Sequence, residues 1–155
     1  MRPEDCLCAN EERGAGQMNE CSTRMVRTFF DRSNCPETNF FIGEVVHFPG
    51  KWSSYPPHHH PQPECYFYRF DKPMGFGAGW GNGEIYETHH NGLAIITDKM
   101  HSQVTAPGYS CCYAWGIRHL PGNPWTRPAS TTRSICGCSR TTRTTTSGTA
   151  PPATK

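Results

Sequence analysis

The sequence predicts an all-β fold, a sandwich or a barrel, and three observations carry that prediction. Apolar and aromatic residues come in seven or so short runs, divided by turn residues about every ten positions. No segment holds a helical period, and 15 glycines with 14 prolines leave little room for long helices. The 155 residues are 35% hydrophobic and 18% charged, both below the usual globular share, which suits one domain with polar tails.

The elements follow in order. Residues 1–21 are polar, with Gly14 and Gly16, and suggest a linker or the remnant of an upstream domain. Strand-like runs then cover 24–30 and 39–48 (NFFIGEVVHF), the second closed by Pro49-Gly50. The aromatic run 64–71 (ECYFYRFD) is the most strand-like of all. Runs 84–89 and 93–97 flank Asn91-Gly92, the strongest two-residue hairpin signal in the chain. Runs 101–106 and 109–119 flank a turn at Pro107-Gly108. Between positions 75 and 83 every second residue is glycine. With no Lys-Ser/Thr end and no following helix, this stretch is not a phosphate loop. It is expected to be a loop, or a strand with one bare face that lets a neighbour approach closely. The β domain is thus placed at 22–125.

After Trp125 the composition collapses into Thr, Ser, Arg, Pro and Ala, so 126–155 is expected to be a disordered tail. A sharper reading is a reading-frame slip: Asp, Asn, Tyr or His codons become Thr codons one frame over, and Leu, Ile or Val codons become Ser codons. One allowed codon choice from Pro128 onward restores an ordinary acidic protein end.

Charge and cysteine content exclude several function classes. Arg127, Arg133, Arg140, Arg143 and Lys155 sit in the tail without an acid, leaving 10 basic residues against 13 acidic ones elsewhere. That mildly acidic body offers nucleic acid no attraction. No run approaches the ~18 apolar residues of a membrane span, and MRPEDCLCANEERG lacks the apolar core of a signal peptide. Nine cysteines, an odd number without a signal, argue against a disulfide scaffold and for a reduced, cytoplasmic protein. Cys111 and Cys112 are expected as small buried side chains, and the C-x-C pairs Cys6/Cys8 and Cys136/Cys138 are weak metal signals.

The chemistry concentrates in YPPHHHPQPE, residues 55–64. His58 and His60 leave the same face of an extended chain, and three further residues let the chain turn so that Glu64 joins them. Two imidazoles and a carboxylate suit Zn, Mn or Fe(II) and leave positions open for substrate. His101 is the best-placed fourth ligand, whereas His47, His89, His90 and His119 have no partner at ligand spacing. Tyr66 and Tyr68 share the strand face of Glu64, and Gln103 that of His101, which makes these three the substrate-facing candidates. Equally, the two tyrosines could simply fill the barrel interior.

His-x-His-x3-Glu with a late His resembles the metal signature of the cupins, double-stranded β-helix jelly rolls. The second cupin motif has Pro and Gly where this chain has Asp98, Lys99 and Met100. Three stretches go further: STRMVRTFFD (22–31), GEVVHFPGKWSSYPPHHHPQPECYFYRF (43–70) and APGYSCCYAWGIRHLPGNPW (106–125). They resemble the C-terminal half of the 5-deoxy-glucuronate isomerase family of bacterial myo-inositol catabolism, whose members are bicupins about twice this size. The resemblance implies conversion of 5-deoxy-glucuronate to 2-deoxy-5-keto-gluconate through an enediolate or by hydride shift. It further implies a divalent metal, zinc first, held by His58, His60, Glu64 and His101, and a sugar-acid substrate whose carboxylate meets Arg118 or Lys51. Neither nucleic acid nor membrane is an expected partner, and self-association stays open. An Fe(II) dioxygenase and a non-catalytic sugar-binding cupin remain the alternatives.

Overall fold

Period-two alternation is what turns these runs into a closed core. The computed structural model describes residues 3–97 and 100–126. Its strands are β1 (Glu11–Arg13), β2 (Arg24–Phe30), β3 (Phe40–His47), β4 (Trp52–His58), β5 (Glu64–Phe70), β6 (Phe76–Gly81), β7 (Glu84–His89), β8 (Leu93–Ile96), β9 (His101–Thr105) and β10 (Cys111–Arg118). The only helical pieces among the described residues are two single 3-10 turns. All pairings are antiparallel: one sheet runs β1-β2-β3-β10-β5-β8, the other β4-β9-β6-β7. This is a two-sheet jelly roll, as the strand spacing predicts.

β10 lies between β3 and β5, and its Cys111, Tyr113, Trp115 and Ile117 point inward while their neighbours do not. Glu64, Tyr66, Tyr68 and Phe70 do the same on β5. The core is therefore rich in large rings, each burying about 150–250 Å². Space for Trp115 is made at Gly43, where a Cβ would stand 2.5 Å from the indole and 2.3 Å from the Arg27 carbonyl oxygen.

The glycine run is a strand, β6, with Gly77, Gly79 and Gly81 on the buried face. At Gly77 the approach is so close that a Cβ would stand 2.3 Å from the Val104 carbonyl oxygen of β9.

Two local readings need correction. Asn91-Gly92 does make a turn, but β7 pairs with β6 and β8 with β5, so the flanking strands belong to different sheets. A type I′ hairpin needs positive φ at both central residues. Asn82 (φ 55°) and Gly83 (φ 84°) meet that requirement and close the actual hairpin between β6 and β7, whereas at the other pair only Asn91 (φ 63°) does. Residues 52–58 also form a strand, β4, through pairing with β9, and a partner so remote in sequence leaves no local hairpin signal.

The segment before Ser22 extends the larger sheet: β1 pairs with β2, and the Leu7 and Cys8 amides donate to the Phe29 and Thr28 carbonyls at 3.0 and 2.8 Å. Cys111 is buried and Cys112 half-buried, and the described cysteines are free thiols. No helix among the described residues is long and apolar enough to cross a membrane. The expected tail, its frame-slip reading, the Cys136/Cys138 pair and the Asp98-Lys99 step lie outside the described residues.

Candidate metal centre

The link from β4 to β5 carries the chain from the smaller sheet to the larger, and it carries the histidine motif with it. His58 ends β4 and stands directly opposite His101, the first residue of β9, so both rings occupy one face with centroids 4.5 Å apart. His60 follows in the link, its ring 5.3 Å from His101 and 6.1 Å from His58. One ligand nitrogen from each of the three lies within 4.8 Å of the others. Glu64 opens β5 from the opposite sheet, its Oε2 3.2 Å from His60 Nε2 and 3.4 Å from His101 Nε2.

The hydrogen bonding suits a cation. His60 Nδ1 is 2.9 Å from the Gln62 carbonyl oxygen, so it must carry the proton and donate. In the neutral ring Nε2 then presents a lone pair to a carboxylate oxygen, an opposition that a shared cation relieves. Fixing the tautomer through the outer nitrogen is the usual device for a metal-binding histidine. His58 lies at the exposed rim, yet desolvation, then the His101 and His60 imidazoles, push its pKa down to about 4. It is therefore neutral and ready to bind. Three imidazoles and one carboxylate, gathered from both sheets, fit a divalent metal ion.

His58, His60, Glu64 and Tyr66 line one wall of a cavity of about 580 Å³, its mouth included. Tyr66 stands with its hydroxyl beside the Glu64 carboxylate and the Ser54 hydroxyl. Burial, then the Glu64 charge, raise its pKa far above the usual phenol value. Tyr68 and Gln103, the other two substrate-facing candidates, are buried against each other, with a 2.7 Å bond from the Tyr68 hydroxyl to Gln103 Oε1, and neither lines the cavity. Nor do Arg118, exposed at the end of β10, or Lys51, whose ammonium donates to the Glu20 carbonyl at 2.6 Å.

Sequence reasoning missed two wall residues. Trp125 donates its amide hydrogen to His119 Nδ1 at 3.0 Å and sets its ring 4.5 Å from Phe41 and 6.3 Å from His60. Position 125 had looked like the edge of the tail. The second is Arg24, on the inward face of β2. Its signal was its place in the run Arg24-Val26-Thr28, whose alternate residues all reach the cavity.

The comparisons with known proteins give the family and the fold. A model of the KduI/IolB family matches residues 2–132. The curated 5-deoxy-glucuronate isomerase of Geobacillus thermodenitrificans (strain NG80-2) is 29% identical over 139 residues, covering 74% of this chain and 49% of its own length. An IolB-like protein from Salmonella typhimurium LT2 superposes with a TM-score of 0.66 at 22% identity, over 76% of this chain and 48% of that one. A cupin-like protein from Thermotoga maritima MSB8 gives 0.55 at 18% identity, over 71% and 80%. The fold is a cupin jelly roll. The chain spans about half the length of the isomerase and of the IolB-like protein.

Proposed function

This chain belongs to the KduI/IolB family, and from that premise we propose that it is a metal-dependent aldose–ketose isomerase domain. The named relative supports 5-deoxy-glucuronate as substrate, and aldose–ketose isomerisation of that sugar acid would give 2-deoxy-5-keto-gluconate. The observation that carries the reading is the gathering of His58, His60, His101 and Glu64 at one point, with His58, His60 and Glu64 on the wall of a cavity. Zinc is the first choice of metal for this donor set, with manganese and iron behind it. The protein works in the cytoplasm, in inositol catabolism, as one half of a two-cupin enzyme or in an assembly of copies that supplies the other half.

Bound at these residues, a divalent cation would hold the neighbouring carbonyl and hydroxyl oxygens and stabilise the negative charge that develops on them. The chain supplies the rest. Tyr66, kept protonated by its raised pKa, donates a hydrogen bond to a substrate oxygen and cannot serve as the base at neutral pH. Tyr68 and Gln103 hold one another behind it and keep the strand face in register. Phe41, Trp115 and Trp125 form an apolar wall that limits water around the reacting carbons.

A proton NMR time course of the purified chain with 5-deoxy-glucuronate, metal-free and with zinc or manganese, tests the reading. Loss of the aldehyde signals only with metal, and its absence in His58→Ala, is the expected result. Metal and ligand binding without product would favour a non-catalytic cupin. Oxygen consumption with Fe(II) would favour a dioxygenase.

A further inference from the structure

In strand register Arg24 lines up with His47, Cys111 and Phe70, six residues along β5 from Glu64, so the two arginines that line the cavity, Arg13 and Arg24, lie apart from the metal-binding side chains. They stand directly across from each other on β1 and β2. Like charges in that position repel, and the fold keeps them there. Arg13 has a partner, since its guanidinium reaches Glu11 at 2.7 Å. Arg24 has no carboxylate partner among the described residues. It makes one hydrogen bond, from Nη1 to the Ser22 carbonyl at 2.8 Å, out of five that a guanidinium can donate.

The surroundings of Arg24 offer no compensating charge. Its neighbour on β3 is the buried His47, and Tyr113 of β10 lies close to it. Desolvation, outweighing the nearby Tyr113, lowers its pKa from the usual arginine value, with Arg13 adding to the effect. A half-buried guanidinium with four unused donors and no counter-ion is a site that an anion would stabilise. The cavity is thus bipolar, with a carboxylate and imidazoles that take a cation at one end and arginines at the other.

We infer that the Arg24 guanidinium binds the carboxylate of this cavity's ligand, which is an open-chain hydroxy acid with metal-binding oxygens at its far end. The hydroxy-acid identity of the far end rests on the proposed metal-dependent function; the carboxylate end rests on Arg24 itself. Arg13, at the rim, adds long-range attraction for the same charge.

The test compares binding of D-glucuronate and D-glucose, which share a carbon count and differ in the carboxylate, to zinc-loaded protein by calorimetry. Wild type is expected to prefer glucuronate, Arg24→Gln to lose about 10- to 100-fold of that preference, and Arg24→Lys to keep part of it. Arg13→Gln, at the rim, should cost less than Arg24→Gln. Zinc affinity and the circular dichroism spectrum, unchanged in the variants, show that the site is still folded. Should Arg24→Gln misfold, a full preference retained in Arg24→Lys together with Arg13→Gln overturns the inference. So does wild-type protein that binds both sugars alike, or neither. Absence of isomerase turnover with the acid preference intact leaves the inference standing and removes only the proposed activity; turnover without that preference does the reverse.

Discussion

At the scale of single residues, the histidines divide by what surrounds each ring. His58, His60 and His101 face one another and a carboxylate, whereas His47 sits alone in the core, bonded through Nδ1 to the Thr105 hydroxyl at 2.7 Å. Burial, with a smaller contribution from Arg24, pushes the His47 pKa down to about 3. The groups facing it are Arg24 on β2, Thr105 on β9 and Tyr113 on β10, and none is a carboxylate. The unfolded chain takes up this proton near pH 6.5 and the folded chain only near 3, so stability rises with pH throughout that window. Acidifying from pH 7 to 5 should therefore cost about 2 kcal/mol through this residue alone. Urea unfolding with EDTA present, at both pH values, checks it. A His47→Gln variant should lose about that much of the pH dependence, and an unchanged dependence would refute the assignment. The difference between the two proteins isolates this residue.

At the scale of elements, a bare strand face is as specific as a bulky one. β6 presents three glycines to the interior, and each leaves room for a neighbour: the Val104 carbonyl of β9 at Gly77, the Tyr86 ring at Gly79 and the Ile96 side chain at Gly81. Gly77→Ala should push β6 away from β9 and cost about 1–3 kcal/mol, read as a lower urea midpoint, because backbone cannot move aside as a side-chain end can. Gly108→Ala, with open space around its would-be Cβ, serves as the control and should change little. The two Asn-Gly turns make the same point about context. Asn82-Gly83 closes a hairpin, and the Asn82 side chain is further fixed by bonds to the Ile95 carbonyl at 2.9 Å and the Thr97 amide at 2.8 Å. The identical dipeptide at Asn91-Gly92 hands the chain from one sheet to the other.

At the scale of the whole molecule, the proposed metal centre would clasp the two sheets together, since His58 and His101 come from one and Glu64 from the other. A ligand that binds only the folded state raises stability by RT ln(1 + [L]/Kd), about 2.7 kcal/mol at a hundredfold excess over Kd. Zinc should thus raise the melting temperature by several degrees, EDTA should reverse the rise, and Glu64→Gln should blunt it. A melting temperature indifferent to zinc would mean that the sheets do not share an ion.

Spacing along the chain was enough to show which side chains share a strand face. The period of two placed Glu64, Tyr66 and Tyr68 on one face of β5, and His-x-His-x3-Glu brought three donors to one turn, because strand geometry repeats every two residues whatever the fold. The alternating glycines announced a bare face for the same reason. Pairings between distant segments needed the folded chain: that His58 meets His101, that Tyr68 turns to Gln103 and away from the cavity, and that Arg24 and Trp125 close its walls. Those contacts join segments from 35 residues apart, at Tyr68 and Gln103, to 84 apart, at Phe41 and Trp125. Local spacing cannot encode them, because they are set by which strands share a sheet and how the two sheets are stacked.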